Sequence, residues 1–143
     1  MKVVYIAGPF RSKTGNMFEV QQNIMEAMKW SLLVWNNGGA ALCPHANTVF
    51  FTGAAPDTVW LEGDIELLKR CDAILLIPGW HNSPGSVAEY EVAAGIGMPK
   101  FDFDYPGYDG SVREAMEQAT RERLLSWLKG GPGIMSMFME REY

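Results

Sequence analysis

Asp72-Ala73-Ile74-Leu75-Leu76-Ile77-Pro78-Gly79 is the stretch whose reading decides the fold. From Ala73 to Ile77 the run is apolar without a break and is closed at once by Pro-Gly. A strand wetted on one face alternates polar with apolar, and a helix needs more length. A short continuous run bounded by turn residues therefore reads as a strand buried on both faces. Such strands belong to parallel sheets with helices on either side.

Working toward the N-terminus, Val3 to Ala7 repeats this logic, a β-branched apolar run halted by Gly8-Pro9. Between the two strands, Met17, Val20, Ile24, Ala27, Met28, Leu32 and Trp35 recur at helical spacing. They predict a helix from Asn16 or Met17 to Asn37, stopped by Gly38-Gly39. Ala40 to Cys43 reads as a short strand ended by Pro44, and His45 to Pro56 as an irregular loop. A second helix is expected from an N-cap at Asp57 through Trp60, Leu61, Ile65 and Leu68 to Arg70. Beyond Gly79, a loop over Trp80 to Ser83 leads to a helix from Ser86 to Ile96. A strand over Lys100 to Phe103 follows, then a helix from a serine cap at Ser111 to Lys129, ended by Gly130-Gly131-Pro132-Gly133.

Four strand-helix alternations predict an α/β fold, a three-layer, doubly wound parallel sheet of the flavodoxin or Rossmann-like kind. The expected strand order is 2-1-3-4, with the place of any fifth strand left open. A single domain is expected over residues 1–143, its core spanning about 3–130, with residues 131–143 as a Met-rich tail that is either loosely ordered or packed at a subunit interface. Ligands of such folds sit beyond the carboxyl ends of the strands. The loops after Ala7, Cys43, Ile77 and Phe103 are thus the places for chemistry.

Composition narrows the function classes. The net charge of -5 gives no basic field for wrapping a nucleic-acid polymer, while a small anion held locally remains compatible. Cys43 and Cys71 lack the spacing of a zinc or redox pair and read as reduced thiols. No signal peptide or membrane span is evident, which points to a cytoplasmic protein with no membrane partner.

The segment Ser83-Pro84-Gly85-Ser86-Val87-Ala88-Glu89 combines a glycine turn, a helix start and a carboxylate. Gly85 allows close backbone approach, Ser83 and Ser86 offer hydroxyls, and free amides at a helix start favour an anion such as phosphate. Glu89 is placed in about the first helical turn, where the dipole favours the charged form by roughly 0.3–1 kcal/mol. An ionised carboxylate is what attack on an anomeric carbon requires. The competing reading is a surface glutamate. Glu91 points to another helix face. In the first loop, Arg11 suits a phosphate or carboxylate, or is simply a surface charge. His45 and His81 are loop imidazoles, acid-base groups or structural ones. Phe10 and Trp80 suit stacking on a base, or packing. Asp64 by itself reads as a solvated helix residue, and Asp72 as a capping or loop carboxylate at the wrong end of its strand.

Three stretches in this order resemble the nucleoside 2-deoxyribosyltransferase superfamily, including its nucleoside-monophosphate N-glycosidases and related phage and prokaryotic proteins. They are Tyr5-Ile6-Ala7-Gly8-Pro9-Phe10-Arg11, the segment Asp64 to Asp72, and Ser83 to Glu89 followed by Ala93, and the likeness spans roughly residues 3–103. The resemblance implies that Glu89 is the nucleophile toward C1′ of the sugar, that Asp64 assists protonation or positioning of the base, and that Tyr5 orients Glu89. It implies a substrate site drawn from Gly8, Phe10, Arg11, His45, Trp80, Ser83, Gly85 and Ser86, with Ser83 where monophosphate hydrolases hold a 5′-phosphate. It further implies a nucleoside or nucleotide substrate, no metal or organic cofactor, and a homo-oligomer whose neighbours contribute C-terminal residues, although Ile134 to Tyr143 does not align with that segment. The rivals are a phosphoribohydrolase of the cytokinin-activating type, whose second glycine-rich run and motif arginine are missing here, and a noncatalytic nucleotide sensor on the same fold.

Overall fold

The computed structural model describes residues 1–130, so the expected tail lies outside the described residues. The elements in chain order are β1 (Val3–Ala7), α1 (Met17–Trp35), β2 (Ala40–Leu42), α2 (Pro44–Asn47), α3 (Asp57–Lys69), β3 (Ala73–Leu76), α4 (Pro84–Gly95), β4 (Lys100–Asp102) and α5 (Gly110–Leu128). The strands form one parallel sheet in the order β2-β1-β3-β4, as the sequence predicts. β1 and β3 lie inside and pair Tyr5 with Ile74 and Ala7 with Leu76.

Two apolar layers flank the sheet, and strand alternation decides which residue enters which. Val4, Ile6, Ala73, Leu75 and Ile77 meet Ala27 and Val34 of α1 and Leu124 and Leu128 of α5. Tyr5, Ala7, Ile74 and Leu76 face the opposite way, against Leu68 of α3 and Ala93 of α4. The odd residues of β1 are therefore on the α3-α4 side, which puts the Tyr5 side chain among those two helices.

Several boundaries differ from expectation for local reasons. The segment read as irregular after Pro44 contains the short helix α2 and a 3₁₀ turn at Val49–Phe51, because proline at a first helical position favours a turn that apolar periodicity cannot reveal. Residues Trp80–Asn82 also form a 3₁₀ turn, entered through Gly79 at φ 90°. α4 begins at Pro84 rather than Ser86, with Ser83 as the cap whose hydroxyl accepts the Ser86 amide. Asp57 is the first residue of α3 and Pro56 stands at the cap. Ser111 lies inside α5, which Asp109 precedes. α1 starts at Met17, within the expected bounds, and Asn16 caps it by accepting from the Phe18 amide.

Asp72 closes the end of the sheet remote from the loops, where its carboxylate accepts the Val3 amide at 2.7 Å. That is the capping role expected of it.

Candidate active site between the first strand, the third helix and the fourth helix

Tyr5 is fully buried, and its hydroxyl donates to Glu89 Oε2 across a separation of 84 residues. Three local features produce this contact. β1 aims Tyr5 at the α3-α4 layer. Pro84 and Ser83 fix where α4 starts, so that Ser86, Glu89 and Ala93 share its inward face. Ala93 is 1% exposed, and its small side chain lets the helix lie close over β1 and β3.

Glu89 sits in the second turn of α4, not the first, because the helix starts two residues earlier than the sequence suggests. The dipole effect falls off within the first turn, so it does little here. Burial dominates instead: it pushes the Glu89 carboxyl up to about 7, with the Tyr5 hydrogen bond pulling it down and Asp64 pushing it further up. The expectation of a carboxylate held charged by the helix end is thereby corrected. Tyr5 is raised by burial first and then by the facing Glu89 charge, so its hydroxyl remains a donor throughout the neutral range. Asp64, on the half-buried side of α3, is lifted by burial to about 6 and is electrostatically coupled to both Glu89 and Tyr5. It is not the plain solvated residue that its helix position alone suggested. The structure therefore brings Tyr5, Asp64 and Glu89 together, two ionisable carboxyls and a phenol in one partly buried spot. Glu91 is exposed on another face.

The first loop is held from beneath by His45. Its Nε2 lies 3.0 Å from the Gly8 carbonyl and 2.8 Å from that of Pro9. Both partners can only accept, so Nε2 carries the proton. Burial lowers the His45 pKa, which keeps the ring neutral with a buried Nδ1 that has no partner among the described residues. His45 thus supports the loop, and Phe10 packs edge-on against it at 5.9 Å. Gly8 is required by crowding, since a Cβ there would come within 2.2 Å of the Ile77 side chain. Gly85 is different: a Cβ on it would meet nothing within 4 Å, so space stands open beside the start of α4. Ser86 is buried and donates its hydroxyl to Ser83 Oγ at 3.1 Å.

Two expected contact residues are engaged elsewhere. The Arg11 guanidinium pairs with Asp57 at the exposed start of α3. Trp80 is 5% exposed, stacks on Tyr90 and gives its indole N–H to Asp102 at 3.0 Å, so it is a packing residue rather than a face for a base. His81 pairs with Asp104 at 2.8 Å. A shallow hollow of about 370 Å³ beside it is lined by His81, Asn82, Pro84, Val87, Ala88 and Glu91, and its lining includes none of Tyr5, Asp64 and Glu89.

One residue was not foreseen. Trp60, one turn before Asp64 on α3, packs on Phe51 at 5.8 Å and holds a buried indole N–H with no partner among the described residues. The i, i+4 spacing to Asp64 was the available signal. Among the described residues no group of three or more His, Cys, Asp or Glu side chains is placed to hold a metal, and no helix is long and apolar enough to cross a membrane.

Comparison with known proteins agrees with this architecture. A 2-deoxyribosyltransferase from the psychrotolerant bacterium Bacillus psychrosaccharolyticus is similar in structure, with a TM-score of 0.55 and 18% identity over 82% of this chain and 81% of that one. At that identity the likeness speaks for the fold. No curated protein matches in sequence. Residues 2–101 match the family described as "Domain of unknown function (DUF4406)", a stretch holding β1 through α4 and every residue of the Tyr5-Asp64-Glu89 cluster. The chain belongs to that family.

Proposed function

We propose that this protein cleaves or transfers the N-glycosidic bond of a nucleoside, 2-deoxynucleoside or corresponding 5′-monophosphate. The observation that carries the reading is the buried hydrogen bond from Tyr5 to Glu89 beside a second carboxyl, Asp64. A nucleophilic carboxylate and a nearby acid are the two groups that displacement at an anomeric carbon needs.

In this scheme a Glu89 oxygen forms a bond to C1′ while the C1′–N bond breaks and its electron pair leaves with the base. Protonated Asp64 delivers its proton to the departing nitrogen. Water or a second base then attacks C1′ and gives up its proton to Asp64, while the C1′–O bond to Glu89 breaks and Glu89 leaves as carboxylate, so both groups regain their starting states. Tyr5 holds the reacting oxygen and lowers the cost of ionising a buried acid. The open space beside Gly85, at the helix end capped by Ser83, suits a 5′-phosphate or the sugar's 5′-hydroxyl. The Phe51-Trp60 pair lies on the Asp64 side and suits the base, with Phe10 on the first loop. The reading includes no cofactor or metal, no nucleic-acid polymer as partner, a single domain over residues 1–143, a cytoplasmic location and assembly into homo-oligomers.

The test is base release and exchange, followed by chromatography, on a panel of nucleosides and 5′-monophosphates with and without a free acceptor base. At least one substrate is expected to turn over. Glu89→Ala should abolish that activity, and Glu91→Ala should retain it. Nucleotide binding by the wild type without any release of base would overturn the catalytic reading in favour of a sensor.

A further inference from the structure

A second hollow, of about 430 Å³, opens at the amino end of the edge strand β4 and is lined by Met98, Pro99, Lys100, Phe101, Arg123 and Trp127. It shares no residue with the Tyr5-Asp64-Glu89 cluster or with the Ser83 to Ser86 turn. Three cations stand at or beside it, each fixed in the same way. Lys100 Nζ lies 4.9 Å from the centre of the Tyr90 ring and donates to the Tyr90 hydroxyl at 3.1 Å. The Arg123 guanidinium lies 5.1 Å from the centre of the Phe101 ring and donates to the Lys100 carbonyl at 3.3 Å. Lys2 Nζ lies 4.1 Å from the centre of the Trp127 ring and donates to the Trp127 carbonyl at 2.6 Å. None of the three has a carboxylate partner among the described residues, although the chain carries a net charge of -5. An aromatic face and a neutral oxygen hold a cation in place without cancelling its charge, which an ion pair would do.

From this arrangement we infer that the hollow is a second ligand site, which takes a small phosphate monoester with an apolar body. The inference goes beyond the glycosidic chemistry proposed above and does not depend on it. Charge selects the anion. Lys100 and Arg123 together carry two positive charges, and a phosphate monoester carries about -1.5 to -2 at neutral pH, whereas a carboxylate carries only one negative charge. Donor capacity agrees: an ammonium has three N–H groups and a guanidinium five, and each cation uses one on its neighbour, so the others remain for phosphate oxygens. Lys2 has a different part. It does not line the hollow but covers a carbonyl in the last turn of α5, where the negative end of the helix dipole would otherwise repel an anion. Met98, Pro99 and Trp127 give the apolar wall for the rest of the ligand. The hollow falls within the size of small-molecule sites, roughly 300–1,000 Å³. A polyanion is disfavoured because the positive charge is local to this hollow.

The test uses the full chain, labelled with nitrogen-15 and titrated with phenyl phosphate to tens of millimolar. Saturable shifts in the amide spectrum should appear at Lys100, Phe101 and Arg123 and at the indole N–H of Trp127. Benzyl alcohol keeps the ring and lacks the charge, and it should produce no saturable shift there. Benzoate should bind more weakly than phenyl phosphate. Lys100→Met and Arg123→Gln, both at exposed positions, should each weaken binding at least about tenfold while the circular-dichroism spectrum stays unchanged. Added salt should weaken binding to the wild type, since exposed charges are screened. Glu89→Ala should leave the affinity unaltered, so that failure of the glycosidic reading and failure of this one are separate results. Shifts confined to Ser83, Gly85 and Ser86 would put the phosphate in the candidate active site and overturn the inference. So would the lack of any saturable shift, equal binding of benzyl alcohol, or full affinity in both cation variants. Should a variant fail to fold, the shift map of the wild type decides alone.

Discussion

Glu89 must be ionised to act as a nucleophile, yet it is placed where ionisation is costly. Its carboxyl is held up to about 7 and that of Asp64 to about 6, both by burial, so the pair exchanges its protons across the neutral range. On the proposed mechanism kcat/KM follows a narrow bell between about pH 6 and 7, with apparent values that belong to the pair. The Tyr5 hydrogen bond lowers the Glu89 pKa, which is the higher of the two, so Tyr5→Phe should move the falling limb to higher pH and reduce the maximum roughly 10- to 100-fold, equivalent to about 1.4–2.7 kcal/mol. A pH-rate profile of the two proteins checks both effects. Stability moves the other way from activity. A carboxyl raised from 4.5 to about 7 holds its proton longer in the folded state than in the unfolded chain. Its contribution is therefore fully present below 4.5 and is lost as pH climbs toward 7. Glu89→Gln keeps the shape and an acceptor for Tyr5 while removing the charge. Urea unfolding should find it more stable than wild type at pH 8, by up to about 3 kcal/mol, and nearly equal at pH 4. The residue types of this cluster were legible through the motif order, whereas the cause of the Glu89 shift was not. Motif spacing locates a carboxylate on a helix, but how far water is excluded from it depends on β1 and α3, which the spacing does not contain. The partners of Trp80 and Arg11 were not legible for the same reason, as Asp102 and Asp57 lie far off in sequence.

Among the elements, the crossing of the Gly8 turn over β3 sets how deep the first loop can sit. A methyl group on residue 8 would overlap Ile77, so Gly8→Ala should cost about 1–3 kcal/mol in the wild type. In an Ile77→Ala background, which removes the overlapping atoms, the same substitution should cost under about 1 kcal/mol, a coupling that a double-mutant cycle in urea reads directly. Equal costs in both backgrounds would show that crowding is not the reason for glycine. β1 and β3 were readable because burial on both faces leaves an unbroken apolar run, a signal needing no neighbour to interpret it. The start of α1 at Asn16 or Met17 was readable for a similarly local reason, the apolar period that follows it. α2 and the 3₁₀ turn after it were not, since each is too short to show a period. The start of α4 slipped by two residues because Ser83 and Ser86 are both good caps, and only the tertiary placement of Pro84 selects between them. In α1 the apolar period located the helix but not its buried face: Ala27 is buried, whereas Met28, Leu32 and Trp35 are exposed.

At the scale of the whole molecule, the 2-1-3-4 order places long-lived and short-lived hydrogen bonds in predictable positions. β1 and β3 are flanked on both edges, while β2 and β4 are three-residue strands at the rims. Native-state hydrogen exchange should show the amides of Tyr5, Ile6, Ile74 and Leu75 as the slowest and those of β2 and β4 exchanging through smaller openings. Faster exchange in β1 than in β2 would contradict the arrangement. The order itself was legible, because alternating strands and helices with right-handed crossovers leave few arrangements. The central position of β1 also has a consequence for how the chain is made. β1 leaves the ribosome before either of the strands that pair with it, and Tyr5 waits a further 84 residues for Glu89. At ordinary elongation rates that interval lasts roughly 4–17 s. During those seconds a sticky ribbon with two open edges hangs from the translating ribosome, so the nascent polypeptide is a natural client for holdase chaperones until Glu89 emerges.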